Sequence, residues 1–227
     1  MKKISAVLIL FALTFCSPND KKAETKTVSN SVAEGISSGT YKLDKSHASL
    51  IFKVNHLGFS DYTARFKRFD ATLHFDVKDP AKSQVFAIID PTSLETDYPD
   101  SKTLDFNAEL YGDKWLNAAK FPQIKFRSTK IEMTGANTAN IIGELSMHGF
   151  KKKVVLAATF NGGYASHKMD LSGARIGFSA KGFLNRSDFG IAYAVPAKGS
   201  KMGVSDKVEF ILEVEFSKPA AKNLKNK

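Results

Sequence analysis

From residue 40 onward the chain alternates between apolar and polar positions. Leu50, Phe52 and Val54 fall on one face of an extended segment, with Ser49, Ile51 and Lys53 on the other. The same period of two runs through Ala71, Leu73, Phe75 and Val77, and through Ile124 and Phe126. It returns at Ile176, Phe178 and Ala180, and at Val208, Phe210, Leu212, Val214 and Phe216. Successive side chains of a strand point to opposite faces, so one face here is apolar and the other wet, as in antiparallel sheet. Residues 85–90 and 154–160 are apolar on both faces and predict strands covered on the outside, as by a helix. His148-Gly149-Phe150-Lys151 joins residues 141–147 to 154–160 as a hairpin link, with Gly149 supplying the turn.

One helix is predicted beyond Asp100 or Ser101, either of which suits a cap. Leu104, Asn107, Leu110 and Tyr111 fall at helical spacing up to Gly112, a second short turn covers residues 114–118, and Pro122 closes the region. With about eight short strands and no repeats, the fold is all-β, a single antiparallel barrel or sandwich. Closing the sheet removes its exposed edges, and a barrel of about eight strands either fills its interior or holds one ligand. An inward apolar face reads the same in both cases.

Composition sharpens this only slightly. Of 227 residues, 43% are hydrophobic and 25% charged, ordinary for a globular chain. The aromatic share is 18 Phe against 6 Tyr, so the apolar faces carry few polar demands. The formal charge of +10 invites a nucleic-acid or anionic-membrane reading. Nine lysines and three acids lie in the flanks, however, leaving 24 basic and 20 acidic side chains between residues 40 and 216. No basic run with interleaved aromatics accompanies them, so no nucleic-acid partner is expected.

The start of the chain has its own logic. Lys2 and Lys3 precede a nearly continuous apolar stretch from Ile4 to Phe15, of signal-peptide size and too short to span a bilayer. Cys16, the single cysteine, follows at once. It is similar to the acceptor of a bacterial lipobox, although Phe15 stands where Gly, Ala or Ser is usual. The organisation expected is a signal peptide over 1–15, a lipidated Cys16 with a polar tether over 16–39, a β domain over 40–217 and a loose basic tail over 218–227.

Candidate chemistry is sparse. Gly35-Ile36-Ser37-Ser38-Gly39 fits the G-x-S-x-G hydrolase pattern, but that chemistry needs the serine on a strand-to-helix turn, and here a strand follows. His47, His56, His74, His148 and His167 show no local metal-ligand spacing. His56, ending the first long strand, is placed to meet a ligand head at a barrel mouth. Arg186, beside Asp188, suits either a phosphate or a loop-holding contact.

Several motifs in order then resemble the YceI-like family. They run from Leu43-Asp44-Lys45-Ser46-His47-Ala48-Ser49 and Phe52-Lys53-Val54-Asn55-His56 through Phe75-Asp76-Val77 and Ser93-Leu94-Glu95-Thr96. Phe121-Pro122-Gln123-Ile124-Lys125-Phe126-Arg127-Ser128 and Gly143-Glu144-Leu145-Ser146-Met147-His148-Gly149 follow. Leu184-Asn185-Arg186-Ser187-Asp188-Phe189-Gly190-Ile191 and Val204-Ser205-Asp206-Lys207-Val208 complete the series, which spans residues 40–216. The resemblance implies a hollow lipocalin-like barrel, export to the periplasm or beyond, and a long-tailed amphiphile such as a polyisoprenoid, quinone or fatty-acid derivative. Where the family commonly carries Arg-Asp-x-His-Leu, this chain reads Phe106-Asn107-Ala108-Glu109-Leu110, which points to a different head group.

The expectation is therefore an exported, periplasmic or outer-membrane-associated binding protein with no cofactor, no metal and no catalytic residue. Phe52, Val54, His56, Phe75, Phe86, Phe126, Phe178, Arg186 and Phe210 are its expected ligand contacts. Its partners are a hydrophobic small molecule and, through Cys16, a membrane; a homodimer is compatible. A secreted lipid-modifying enzyme and a filled-barrel scaffold are the rival readings.

Overall fold

A computed structural model describes residues 35–100, 102–170 and 173–219. The expected signal peptide and the expected anchor Cys16 lie outside the described residues, as do most of the expected tether and tail. Along the described chain run β1 (Gly39–His56), β2 (Ser60–Phe66), β3 (Phe69–Phe75), β4 (Gln84–Ile89) and β5 (Leu94–Glu95). Then come α1 (Phe106–Tyr111), β6 (Ile124–Met133), β7 (Thr138–Met147), β8 (Phe150–Tyr164), β9 (Ala174–Asn185) and β10 (Val204–Lys218). Eight of these strands close an antiparallel barrel in the order β1, β3, β4, β6, β7, β8, β9, β10, with β10 returning to β1. β2 and β5 are the two extra strands. The first residues of β1 pair with β3, while Ile51–His56 turn away to pair with β2.

The period of two sets the register. At the closing seam Leu50 faces Leu212, Phe52 faces Phe210 and Val54 faces Val208. A slip of one residue in either strand would turn its three out to water. Between β7 and β8, His148 and Gly149 both have positive φ (52° and 82°), the backbone of a tight two-residue hairpin turn.

Three expectations need correction. First, the helix starts later than Asp100. The Asp100 carbonyl accepts from Thr103 N and Leu104 N in a separate turn. Asp105 is the cap, its side chain accepting from Ala108 N, and Gly112 ends the helix as expected. Second, no helix among the described residues covers the outside of β4 or β8: Phe86 and Val155 are 39% and 40% exposed on the outer face. α1 covers an end of the barrel instead.

Third, residues 36–38 and Lys218, expected in the tether and the tail, belong to the barrel. Ile36 is 7% exposed and packs with Tyr41, Leu43, Leu73, Ile176 and Phe216. Tyr41 Oη donates to Ser37 O at 2.8 Å, and Lys218 Nζ donates to Ser37 Oγ at 2.9 Å and to Ser38 O at 2.8 Å. Ser37 is thus held at the exposed rim beside Tyr41 and Lys218, ahead of a strand, which is not the geometry of a nucleophile elbow.

Candidate ligand-binding cavity

The two halves of the barrel differ. Below, Phe75, Phe160, Phe178 and Phe216 interlock with ring centroids 5.3–6.3 Å apart, and Tyr41 and Ile176 are fully buried. This end is packed solid. From there upward the barrel encloses a cavity of about 620 Å³, bordered at its lower end by Leu43, Leu73 and Phe216 of the same cluster and within the range of small-molecule sites. Leu43 and His56, near opposite ends of β1, both line it. It therefore runs nearly the length of a strand, on the order of 30 Å once strand tilt is allowed for.

Phe52, Val54, His56, Phe126, Phe178, Arg186 and Phe210 all line this cavity. Two expected residues do not. Phe86 lies outside, because β4 turns Val85, Ala87 and Ile89 inward. Phe75 points inward but belongs to the packed floor, edge-on to Tyr41 and Phe178. Phe178, like Leu43, Leu73 and Phe216, belongs to the lower cluster and also borders the cavity.

Two strand glycines help keep the interior open. A Cβ on Gly143 would come within 2.4 Å of the Phe126 ring, and one on Gly182 within 2.5 Å of the Phe210 ring. Each ring lies against bare backbone of its own wall, at a contact only glycine permits.

The upper end is built from irregular segments that alternation does not report. Leu94, Tyr98, Phe106, Leu110, Trp115, Leu116, Ile191, Tyr193 and Ala194 close over it. Leu110 falls in the helical pattern of the sequence; Phe106, four residues before it, lies outside that pattern, although the i, i+4 spacing is the signal that could have found it. Tyr62, Tyr98, Trp115 and Tyr193 carried no such signal. Asn107 anchors α1: its Oδ1 accepts from Thr96 N and Oγ1 at 2.9 and 2.6 Å, and its Nδ2 donates to Glu95 Oε1 at 3.1 Å. That bond from Asn107 is the main cause holding the Glu95 carboxyl below its ordinary pKa, followed by the Asp97 backbone. Of the positions where the chain departs from the family pattern, Phe106 faces the cavity, Asn107 pins the helix and Glu109 is exposed.

Arg186 both lines the cavity and holds its cover. It is 4% exposed and donates to four backbone carbonyls: Ser205 at 3.0 Å, Ile191 at 3.0 Å, Tyr193 at 2.6 Å and Val204 at 2.7 Å. These contacts hold the loop through backbone carbonyls rather than through the neighbouring Asp188 carboxylate. Burial pushes the guanidinium pKa down, opposed by the charge of Asp206, whose carboxylate accepts from Ser187 N and Oγ. One side chain thus fastens residues 191–205 over the barrel end.

A polar cluster lies on the outer wall. Asp44, His47 and Glu215 bring ligand-type atoms within 4.8 Å of one another. A guanidinium already engages them: Arg175 Nη1 donates to Asp44 and Glu215, both at 2.5 Å, and Arg175 Nε donates to Asp170 at 2.7 Å. The cluster ties β1, β9 and β10 to the segment after β8.

Residues 41–216 match the family model of the YceI-like domain. A protein of Pseudomonas savastanoi pv. phaseolicola named UPF0312 is 37% identical over 153 residues, covering 66% of this chain and 76% of its own. Among solved structures, the YCEI protein of Campylobacter jejuni is similar at a TM-score of 0.60 and 26% identity, over 74% of this chain and 91% of its own. A polyisoprenoid binding domain from Saccharophagus degradans matches at a TM-score of 0.54 and 14% identity, over 79% of this chain and 98% of its own, a likeness of fold. A closed eight-stranded barrel with an apolar cavity inside it, matched from Tyr41 to Phe216, places the chain in the YceI-like domain family.

Proposed function

We propose that this chain is an exported binding protein that carries a long-chain amphiphile, of polyisoprenoid, quinone or fatty-acid type, inside its barrel. The observation that carries the reading is the elongated apolar cavity of about 620 Å³. A hydrocarbon tail laid along it leaves water at a gain of roughly 25 cal/mol per Å² buried, with no covalent step required. The elongated form favours a chain over a compact ring system. The fold likeness to a domain named for polyisoprenoid binding points the same way. Phe52, Val54, Phe126, Phe178 and Phe210 would line the tail, with His56 near the head. Cys16, directly after an apolar leader, is proposed as a lipid anchor on the periplasmic or outer-membrane side.

Native mass spectrometry of protein purified from its own host tests the binding reading. A co-purifying lipid, removed by organic extraction and restored on titration, is expected. A lipid-free protein that takes up no long-chain amphiphile overturns it. For the anchor, Cys16→Ser should move the protein from the membrane to the soluble fraction. An unchanged distribution, with no acyl mass on the wild type, overturns that part.

A further inference from the structure

The cavity wall is polar at one end only. Around Leu43, Leu73, Val214 and Phe216 it is hydrocarbon alone. Its polar side chains, His56, Tyr62, Tyr98, Trp115, Arg186 and Tyr193, line the end covered by α1 and residues 186–204. No Asp or Glu among the described residues lines the cavity, and Arg186 is its one permanent charge.

Hydrogen-bonding capacity at this end is one-sided. The Trp115 indole N–H can only donate, and it is buried with no partner among the described residues. Buried donors are nearly always partnered, because leaving one dry forfeits its solvation with nothing in return. A guanidinium has five N–H groups, and Arg186 commits four to backbone carbonyls. Among the described residues no carboxylate lies within ion-pair distance of it. The guanidinium stands 5.2 Å from the centre of the Trp115 ring, so the one permanent charge of the wall and the unpartnered donor share one corner. The Tyr193 ring packs edge-on to the same indole at 5.3 Å and is 46% exposed.

We propose that this corner is a head-group subsite for an oxygen acceptor (a carbonyl, carboxylate or phosphoryl oxygen) and that it rejects amphiphiles with a cationic head. The inference rests on the cavity being a lipid site. An acceptor oxygen takes the Trp115 N–H and the fifth Arg186 N–H, and its negative charge or dipole offsets the guanidinium. An ammonium head brings a second positive charge beside Arg186 and finds no carboxylate to receive its donors. In the present conformation the Trp115 N–H is covered, and the half-exposed Tyr193 is the neighbour with room to swing aside.

The test titrates the full chain at neutral pH with three amphiphiles sharing one saturated tail: a carboxylate, a methyl ketone and a primary amine. The carboxylate, or carboxylate and ketone together, should bind at least about tenfold more tightly than the amine. Preference for the carboxylate alone assigns the subsite to anions; equal preference assigns it to carbonyl oxygens. Trp115→Phe, which keeps an aromatic ring and removes the N–H, should cut the preferred affinity by about tenfold and narrow its lead over the amine. An amine that binds as tightly as the others overturns the subsite while leaving the lipid reading intact. So does a Trp115→Phe protein, folded by its melting curve, with the wild-type ranking. Failure of all three to bind folded protein overturns the lipid reading and the subsite with it.

Discussion

Phe52 of β1 sits opposite Phe210 of β10 at the seam that closes the barrel, and both rings line the cavity. Phe216, three inward positions further along β10, borders the lower end of the cavity but is only 5% exposed and packs against Phe178 in the lower cluster. One strand thus serves a hollow and a filled region. In a packed core, Phe→Ala costs about 3–5 kcal/mol. Phe216→Ala should approach that figure in denaturant unfolding of ligand-free protein, while Phe210→Ala should fall well below it and weaken lipid binding. Equal losses would show that the upper half is packed too.

Gly182 should resist substitution. A Cβ there would come within 2.6 Å of the Val155 carbonyl as well as meeting the Phe210 ring. Backbone cannot yield as a side-chain tip does, so Gly182→Ala should lower the melting temperature. It should also displace the ring into the cavity and reduce the amount of lipid bound at saturation. Unchanged capacity would mean that the ring has another place to go.

Residues 35–39 should prove to be part of the barrel. Shortened chains starting at residue 35 and at residue 40 differ by Ile36 and by the contacts of Ser37 and Ser38 with Tyr41 and Lys218. Loss of the isoleucine alone should cost about 1.5–3 kcal/mol in chemical denaturation. Coincident unfolding curves would place this segment with the tether.

Acid should act on the outer cluster. The hydrogen bond from His47, followed by that from Arg175, holds the Asp44 carboxyl well below the ordinary 3.8. A carboxyl with a lowered folded-state pKa adds stability above its unfolded value, and that stability is lost as pH falls below it. Stability should therefore decline below about pH 4, and Asp44→Asn should flatten that decline while lowering stability at neutral pH. An identical acid limb in the variant would show that other carboxylates control it.

Arg186→Lys should loosen the cover. An ammonium has three donors and no planar fork, so the carbonyls of Ile191, Tyr193, Val204 and Ser205 cannot all be served. Each one left dry costs about 1–3 kcal/mol. Amide exchange within residues 191–204 should rise sharply, with β6 and β7 little changed. Uniform exchange would mean that the cover is held by packing alone.

Much of the wall was already legible along the chain. Strand character, the inward sets of β1, β9 and β10, and the turn at His148-Gly149 follow from a period of two and from glycine placement, which are local properties of the backbone. The motif series sufficed for the family. Three matters needed the tertiary structure. Whether an inward phenylalanine meets another ring or open space depends on which strand lies across the barrel, so Phe75 and Phe210 look alike in sequence and differ in the fold. β4 is apolar on both faces, and only the pairing of Phe86 with the outward Arg127 shows which face looks out. The end bearing Trp115, Arg186 and Tyr193 is assembled from loops far apart in the chain. No periodicity marks such residues, because their contacts are set by where the closed barrel brings those loops together.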